Sequence, residues 1–260
     1  MNILEQIIEV KKAEVLELQR DEAKKRFVDS EIYAKKCNDF RSAISLPNKL
    51  SLIAEVKKGS PSKGIIRNDF NHIEIADIYN HCNINAISVL TDKKFFFGDI
   101  SYLEEISKTT NVPLLRKDFI IDEIQIHQAK AFGADAVLLI CEILKKEKIS
   151  EFTEIAYSLG LSVLLELHSE DQLSKINFDR NKIIGINNRN LKSFHTSLDT
   201  TENIKGLLPH NIITVSESGI STKEDIIRMK NLGINAVLVG EFFMRSENIK
   251  ESVNSFMENC

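Results

Sequence analysis

A chain of 260 residues with 43% hydrophobic content can build a full core, and its length suits two small domains or one large α/β barrel. A formal charge of -4, with no basic cluster interleaved with aromatics, argues against nucleic acid as the main partner. No apolar run approaches the roughly 18 residues that span a bilayer. Cys37, Cys82, Cys141 and Cys260 lie far apart with no C-x-x-C pair, and the histidines lack zinc-site spacing, so a reduced, cytoplasmic chain without metal or membrane partner is expected.

Ile3, Leu4, Ile7 and Ile8 recur at helical spacing, which predicts an amphipathic helix docked on something larger. Residues 40–44 add a second short docked helix, so residues 1–50 read as a helical extension and 51–260 as the main body of one domain. The stretch 51–64 then opens as a strand that carries charge where side chains should be buried. With a period of two, Glu55 and Lys57 share the face of Ile53. The run from Gly59 to Gly64, with Ser60 and Pro61 inside it, is turn-rich and offers N–H groups and hydroxyls.

From there short Val/Ile/Leu runs alternate with amphipathic stretches. Strands are predicted at 52–57, 86–90, 112–116, 136–140, 162–167, 183–186, 212–215 and 236–239. Helical patterns fill the intervals at 73–81, 102–108, 123–132, 148–159, 170–176, 201–207, 223–232 and 249–257. Gly-Ala-Asp at 133–135 and Gly-Ile-Asn at 233–235 each end a helix just before a strand. Alternation at this pace needs right-handed crossovers and a parallel sheet, and the eight units fit a (β/α)8 TIM barrel. A doubly wound open sheet fits less well, because the G-x-G-x-x-G turn after the first strand is absent.

The active site of such a barrel lies where strands end and βα loops begin. Lys117 shares a face with Leu115, Glu166 with Leu164 and Glu217 with Val215, all on odd-numbered strands like Glu55 and Lys57. Alternate strands contribute to one interior layer, so these charges are expected to converge at one height. Asn187 ends the sixth strand facing inward, and Arg189 opens its loop with a fork suited to phosphate or carboxylate. Ser218-Gly219 and Gly240-Glu241, after the last two strands, let backbone N–H groups approach an anion. Phe95, Phe96 and Phe97 follow the second strand and Phe119 follows Lys117, aromatics for an apolar ligand or for rim packing. His168 reads as a structural rim residue.

In order, Ile53-Ala-Glu-Val-Lys-Lys-Gly-Ser-Pro-Ser62, Leu115-Arg-Lys-Asp-Phe119, Leu164-Leu-Glu-Leu-His168, Gly185-Ile-Asn-Asn-Arg-Asn-Leu191, Ser216-Glu-Ser-Gly-Ile220 and Val239-Gly240 resemble the motifs of indole-3-glycerol phosphate synthases. The resemblance implies closure of the pyrrole ring of a carboxyphenylamino-deoxyribulose phosphate, with loss of CO2 and water, in tryptophan biosynthesis and without a cofactor. It implies Lys117 as the general acid, Glu166 as its acid/base partner in dehydration, Lys57 as holder of the substrate carboxylate, and Glu55 and Asn187 as orienting groups. Arg189, Ser218, Gly219, Gly240 and the backbone of Glu241 would surround the phosphate. Phe96, Phe119 and Leu138 would line the aromatic ring, with Ser60 and Glu217 also at the substrate. A lysine near other cations and partly desolvated is expected to give up its proton near neutral pH. Phe97 and Asp99 depart from the family pattern, both in the loop after the second strand.

Three other readings compete. An isomerase of phosphoribosylanthranilate leaves an inward Lys57 beside Lys117 unexplained, and an aldolase would use Lys117 as a Schiff-base nucleophile. A silent scaffold barrel has no reason to bury so many charges. The chain is expected to be a monomer.

Overall fold

The computed structural model describes residues 2–20, 23–191 and 193–260. The chain opens with α1 (Ile3–Arg20), α2 (Ala23–Val28), α3 (Glu31–Ala34) and α4 (Phe40–Ala43), then enters β1 (Ser51–Val56) and a small hairpin of β2 (Gly59–Ser60) and β3 (Gly64–Ile65). It continues through α5 (His72–His81), β4 (Ala86–Leu90), α6 (Lys93–Phe96), α7 (Ile100–Ser107), β5 (Leu114–Lys117), α8 (Glu123–Ala131) and β6 (Ala136–Ile140). Next come α9 (Lys146–Ser158), β7 (Ser162–Leu167), a 3-10 turn (Glu170–Lys175), β8 (Ile183–Asn187), α10 (Asp199–Lys205) and β9 (Ile213–Glu217). The last elements are α11 (Lys223–Asn231), β10 (Ala236–Val239), α12 (Glu241–Arg245) and α13 (Ile249–Met257).

Eight of these strands close a parallel barrel in the order β1-β10-β9-β8-β7-β6-β5-β4, the architecture expected. Alternation sorts each strand into two faces: Leu52, Ala54 and Val56 join the outer core under the helices, while Ile53 packs inside with Leu115, Leu164 and Val215. The third barrel strand starts at Leu114 and not at residue 112, since Pro113 has no N–H to pair. The hairpin and α6 were not foreseen. Asp92 caps α6 by accepting from the Phe95 and Phe96 N–H groups at 2.7 and 3.1 Å, a local signal legible only once the loop is in place.

The repeated Gly-x-Asp/Asn signal has a specific use. Gly133 and Gly233 take φ of 84° and 66°, left-handed values that end α8 and α11. The Asp135 carboxylate then accepts from Leu114 N–H at 2.8 Å, and Asn235 accepts from Thr214 N–H at 2.9 Å, so each ties the start of one strand to its neighbour. Asn85 does the same for Leu52 at 2.8 Å. At this end Phe40 and Ile44, both fully buried, join the inward cluster and close the barrel floor. At the other end Ile3, Leu4 and Ile7 of α1 reach the mouth. Between them α1, α2 and α3 pack along α8.

Candidate active site

A cavity of about 470 Å3 opens at the C-terminal ends of the strands, and every residue given a catalytic or substrate-binding role from the sequence lines it, whereas Phe95, Phe97, Asp99 and His168 do not. Three buried glutamates sit at one level inside the barrel: Glu55 on β1, Glu166 on β7 and Glu217 on β9. Lys117, ending β5, lies between two of them, its Nζ 3.2 Å from Glu166 and 3.3 Å from Glu217. The first, third, fifth and seventh barrel strands thus deliver one polar layer, as strand parity predicts.

The intervening strands make room for it. A side chain at Gly185 on β8 would collide with the Glu217 carboxylate, and one at Gly240 after β10 would collide with Glu55. At both positions it is this close approach, and not the backbone angle, that favours glycine.

The neighbours of Lys117 overturn one expectation. Burial pulls its pKa down, but the carboxylates of Glu166, Glu217 and Glu55 more than offset this and hold it above the ordinary lysine value. The group is therefore an ammonium at neutral pH, set among acids and not among cations. Of the two glutamates beside it, Glu217 is pushed well above the usual carboxylate range by burial and by the charge of Glu166. Glu166 faces the same burial, yet Lys117 and its hydrogen-bond partners hold it below that range. Of the pair, Glu217 therefore holds a proton more readily than Glu166. His168 has its Nε2 3.4 Å from Glu166, and burial keeps it below the usual histidine value.

Lys57 is only 12% exposed along its side chain and stands 3.4 Å from the Glu55 carboxylate. Its Nζ also lies 5.7 Å from the centre of the Phe96 ring. Phe96 and Phe119 face each other with ring centres 6.0 Å apart, and Leu138 lies beside them on the inward face of β6. The buried Ser60 hydroxyl borders the same space without a hydrogen-bond partner among the described residues. Phe97 takes φ of 56° and packs on Gly59, while Asp99 accepts from Ser101 N–H at 3.0 Å to cap α7, so both departures from the family pattern have structural uses.

On the opposite side Asn187 accepts from the Arg189 N–H at 3.0 Å and shapes the start of that loop. Ser218 and Gly219 take φ of 69° and 83°, turning the loop after β9 back across the mouth. The Arg189 guanidinium meets the Glu241 carboxylate at 3.3 Å, which also pairs with Arg245 at 3.0 Å. The Glu241 side chain is thereby turned toward two arginines.

Residues 4–256 match the family model described as "Indole-3-glycerol phosphate synthase". The chain belongs to the indole-3-glycerol phosphate synthase family. Among curated relatives, the indole-3-glycerol phosphate synthase of Alkaliphilus metalliredigens is 47% identical over 255 residues, covering 96% of both chains. That of Thermoanaerobacter pseudethanolicus is 43% identical over 258 residues, covering 99% of this chain and 98% of the relative. Solved structures add the fold alone. A 3-hexulose-6-phosphate synthase from Salmonella typhimurium superposes with a TM-score of 0.66 at 12% identity, over 81% of this chain and 98% of that one. Indole-3-glycerol phosphate synthase is a carboxy-lyase of tryptophan biosynthesis acting on a phosphorylated small molecule, and this chain has that activity.

Sequence reasoning missed several residues that border the synthase's cavity. Arg245 was legible as a partner of Glu241 four residues earlier on a short helix. Ile3, Leu4 and Ile7 were read as a docking face, but nothing local says that the dock is the mouth of the cavity. Asn188 points away from the cavity into a buried network with Thr201 and Ser216, as its opposite parity to Asn187 requires.

Proposed function

We propose that Lys117 is the general acid of ring closure and that Glu166 serves the dehydration that follows. The observation that carries this reading is the placement of the Lys117 ammonium, paired with Glu166 and Glu217, between an aromatic wall and a loop cluster suited to phosphate. A substrate spanning the cavity sets its ring between Phe96 and Phe119 against Leu138, and its phosphate near Arg189, Ser218, Gly219, Gly240 and the Glu241 N–H. Its ketone then lies beside Lys117. As the ring carbon attacks, charge develops on the ketone oxygen. An alkoxide is far more basic than an amine, so an ammonium with a raised pKa still protonates it and stabilises it beforehand. Loss of CO2 restores the aromatic ring. Glu166 then assists removal of the hydroxyl and of a neighbouring proton, with Glu217 as the more readily protonated member of the pair and Glu55 and Asn187 holding the reacting groups. No cofactor enters this scheme, and a cytoplasmic monomer suffices for it. Incubation with the carboxyphenylamino-deoxyribulose phosphate should produce indole fluorescence; its absence throughout about pH 6 to 9 refutes the scheme.

Lys57 is the group for the substrate's carboxylate. It lies against Phe96, where the ring belongs, and its ammonium has three donors, of which the long contact to Glu55 engages at most one. A charge-assisted contact there is worth about 1.5 to 3 kcal/mol, or about 10- to 150-fold in affinity. Lys57→Ala should therefore weaken a carboxylated substrate analogue and spare the same analogue without its carboxylate. Equal losses for the two analogues would leave Lys57 as a partner of Glu55 only.

Arg189→Ala should raise KM, and inorganic phosphate should inhibit the parent enzyme more strongly than the variant. Glu241 keeps Arg245 as a partner in that variant, so the fold is not expected to suffer. Identical phosphate inhibition would move the phosphate site elsewhere.

A further inference from the structure

The apolar stripe that docks α1 runs Ile7, Lys11, Val15, and its middle member is a lysine only 1% exposed. A buried ammonium is costly unless fully partnered. Lys11 Nζ lies 2.9 Å from Asp92, 2.9 Å from Asp118 and 2.8 Å from Glu14. Asp92 and Asp118 are themselves buried, and each has a second task. The other oxygen of Asp92 receives the Phe95 and Phe96 N–H groups and so places the Phe96 ring. Asp118 receives the Phe119 N–H at 2.8 Å and is steadied by Arg116 at 3.0 Å and Thr91 at 2.7 Å. One cation on the extension thus bridges the supports of both aromatic walls. The same helix presents Ile3, Leu4 and Ile7 to the cavity, with Ile7 one turn from Lys11.

We propose that Lys11 is a positioning residue for substrate recognition: its clamp on Asp92 and Asp118 sets the spacing of Phe96 and Phe119 and the register of the apolar roof above them. The proposal rests on the assignment of the substrate's ring to that wall. Lys11 touches no substrate atom. It acts through two carboxylates on one side of the mouth, so its removal loosens the ring pocket and leaves the Arg189 side in place.

The test compares two ligands on the full chain: 2-aminobenzoate, read by its own fluorescence, as a ring probe, and inorganic phosphate, read as an inhibitor. Lys11→Met should weaken 2-aminobenzoate and raise KM by about tenfold or more, with phosphate inhibition within about twofold of the parent. Asp92→Asn leaves Lys11 paired with Asp118 and Glu14 and orphans no buried charge. It should shift 2-aminobenzoate in the same direction by about threefold, and it carries the test if Lys11→Met does not fold. Loss of both ligands in parallel, or unchanged 2-aminobenzoate affinity in either folded variant, overturns the positioning role. Phe119→Ala separates the two possible failures. If it weakens 2-aminobenzoate while the clamp variants do not, the clamp alone is wrong; if it changes nothing, the ring assignment fails and takes the clamp with it.

Discussion

Lys117→Met should lower turnover by at least about a hundredfold while leaving the affinity for the phosphorylated product largely intact. The methionine keeps the length of the side chain and removes its proton and charge. In the proposed reading product is held chiefly by its phosphate at the loops after β8, β9 and β10, and not by Lys117. Activity above about one part in a hundred would contradict a general-acid role. The electrostatics add a second expectation. Glu166, Glu217 and Glu55 hold the Lys117 pKa above its usual value against the pull of burial. Deprotonation of this lysine therefore contributes no alkaline fall in kcat/KM up to about pH 9. A basic limb below that pH which disappeared in Lys117→Met would assign it to Lys117 and refute the view of a pre-charged acid.

Glu166→Gln should also cost about a hundredfold or more in indole formation, but at a different step. If the carboxylate serves dehydration, ring closure and decarboxylation still proceed in the variant. In a single turnover CO2 release should then outrun the rise of indole fluorescence. If the two signals slow together, Glu166 belongs to ring closure. Loss of the ionised member of the pair also removes the charge that helps push Glu217 up, so the proton at Glu217 becomes easier to release.

Much of this site was legible because strand parity is a rigid rule. Once Leu115, Leu164 and Val215 face inward, Lys117, Glu166 and Glu217 two residues later must follow. The barrel itself followed from the strand/helix pace and from the absence of a dinucleotide turn. What escaped depends on contacts between distant segments. The sign of the Lys117 shift is set by glutamates from three other strands: parity brings them to its level but does not say whether they or Lys57 lie nearest. Lys11 reads as the interrupted polar position of an amphipathic helix until Asp92 and Asp118 are placed beside it. Gly185 looks like a weak point in a strand, whereas its missing side chain is space occupied by Glu217.

The path of the first 50 residues, over the mouth at Ile7, down along α8 and under the floor at Phe40 and Ile44, bears on how the polypeptide reaches its native state. Residues 3–44 are made before the barrel they cover and cannot complete their docking until β10 arrives, because closure pairs Ser51 with Ala236 and Ala54 with Val239. Contacts of such long sequence separation form slowly. Until the barrel closes, the mouth and floor contacts of Ile3, Leu4, Ile7, Phe40 and Ile44 are incomplete, which leaves this stretch exposed to aggregation and to capture by chaperones.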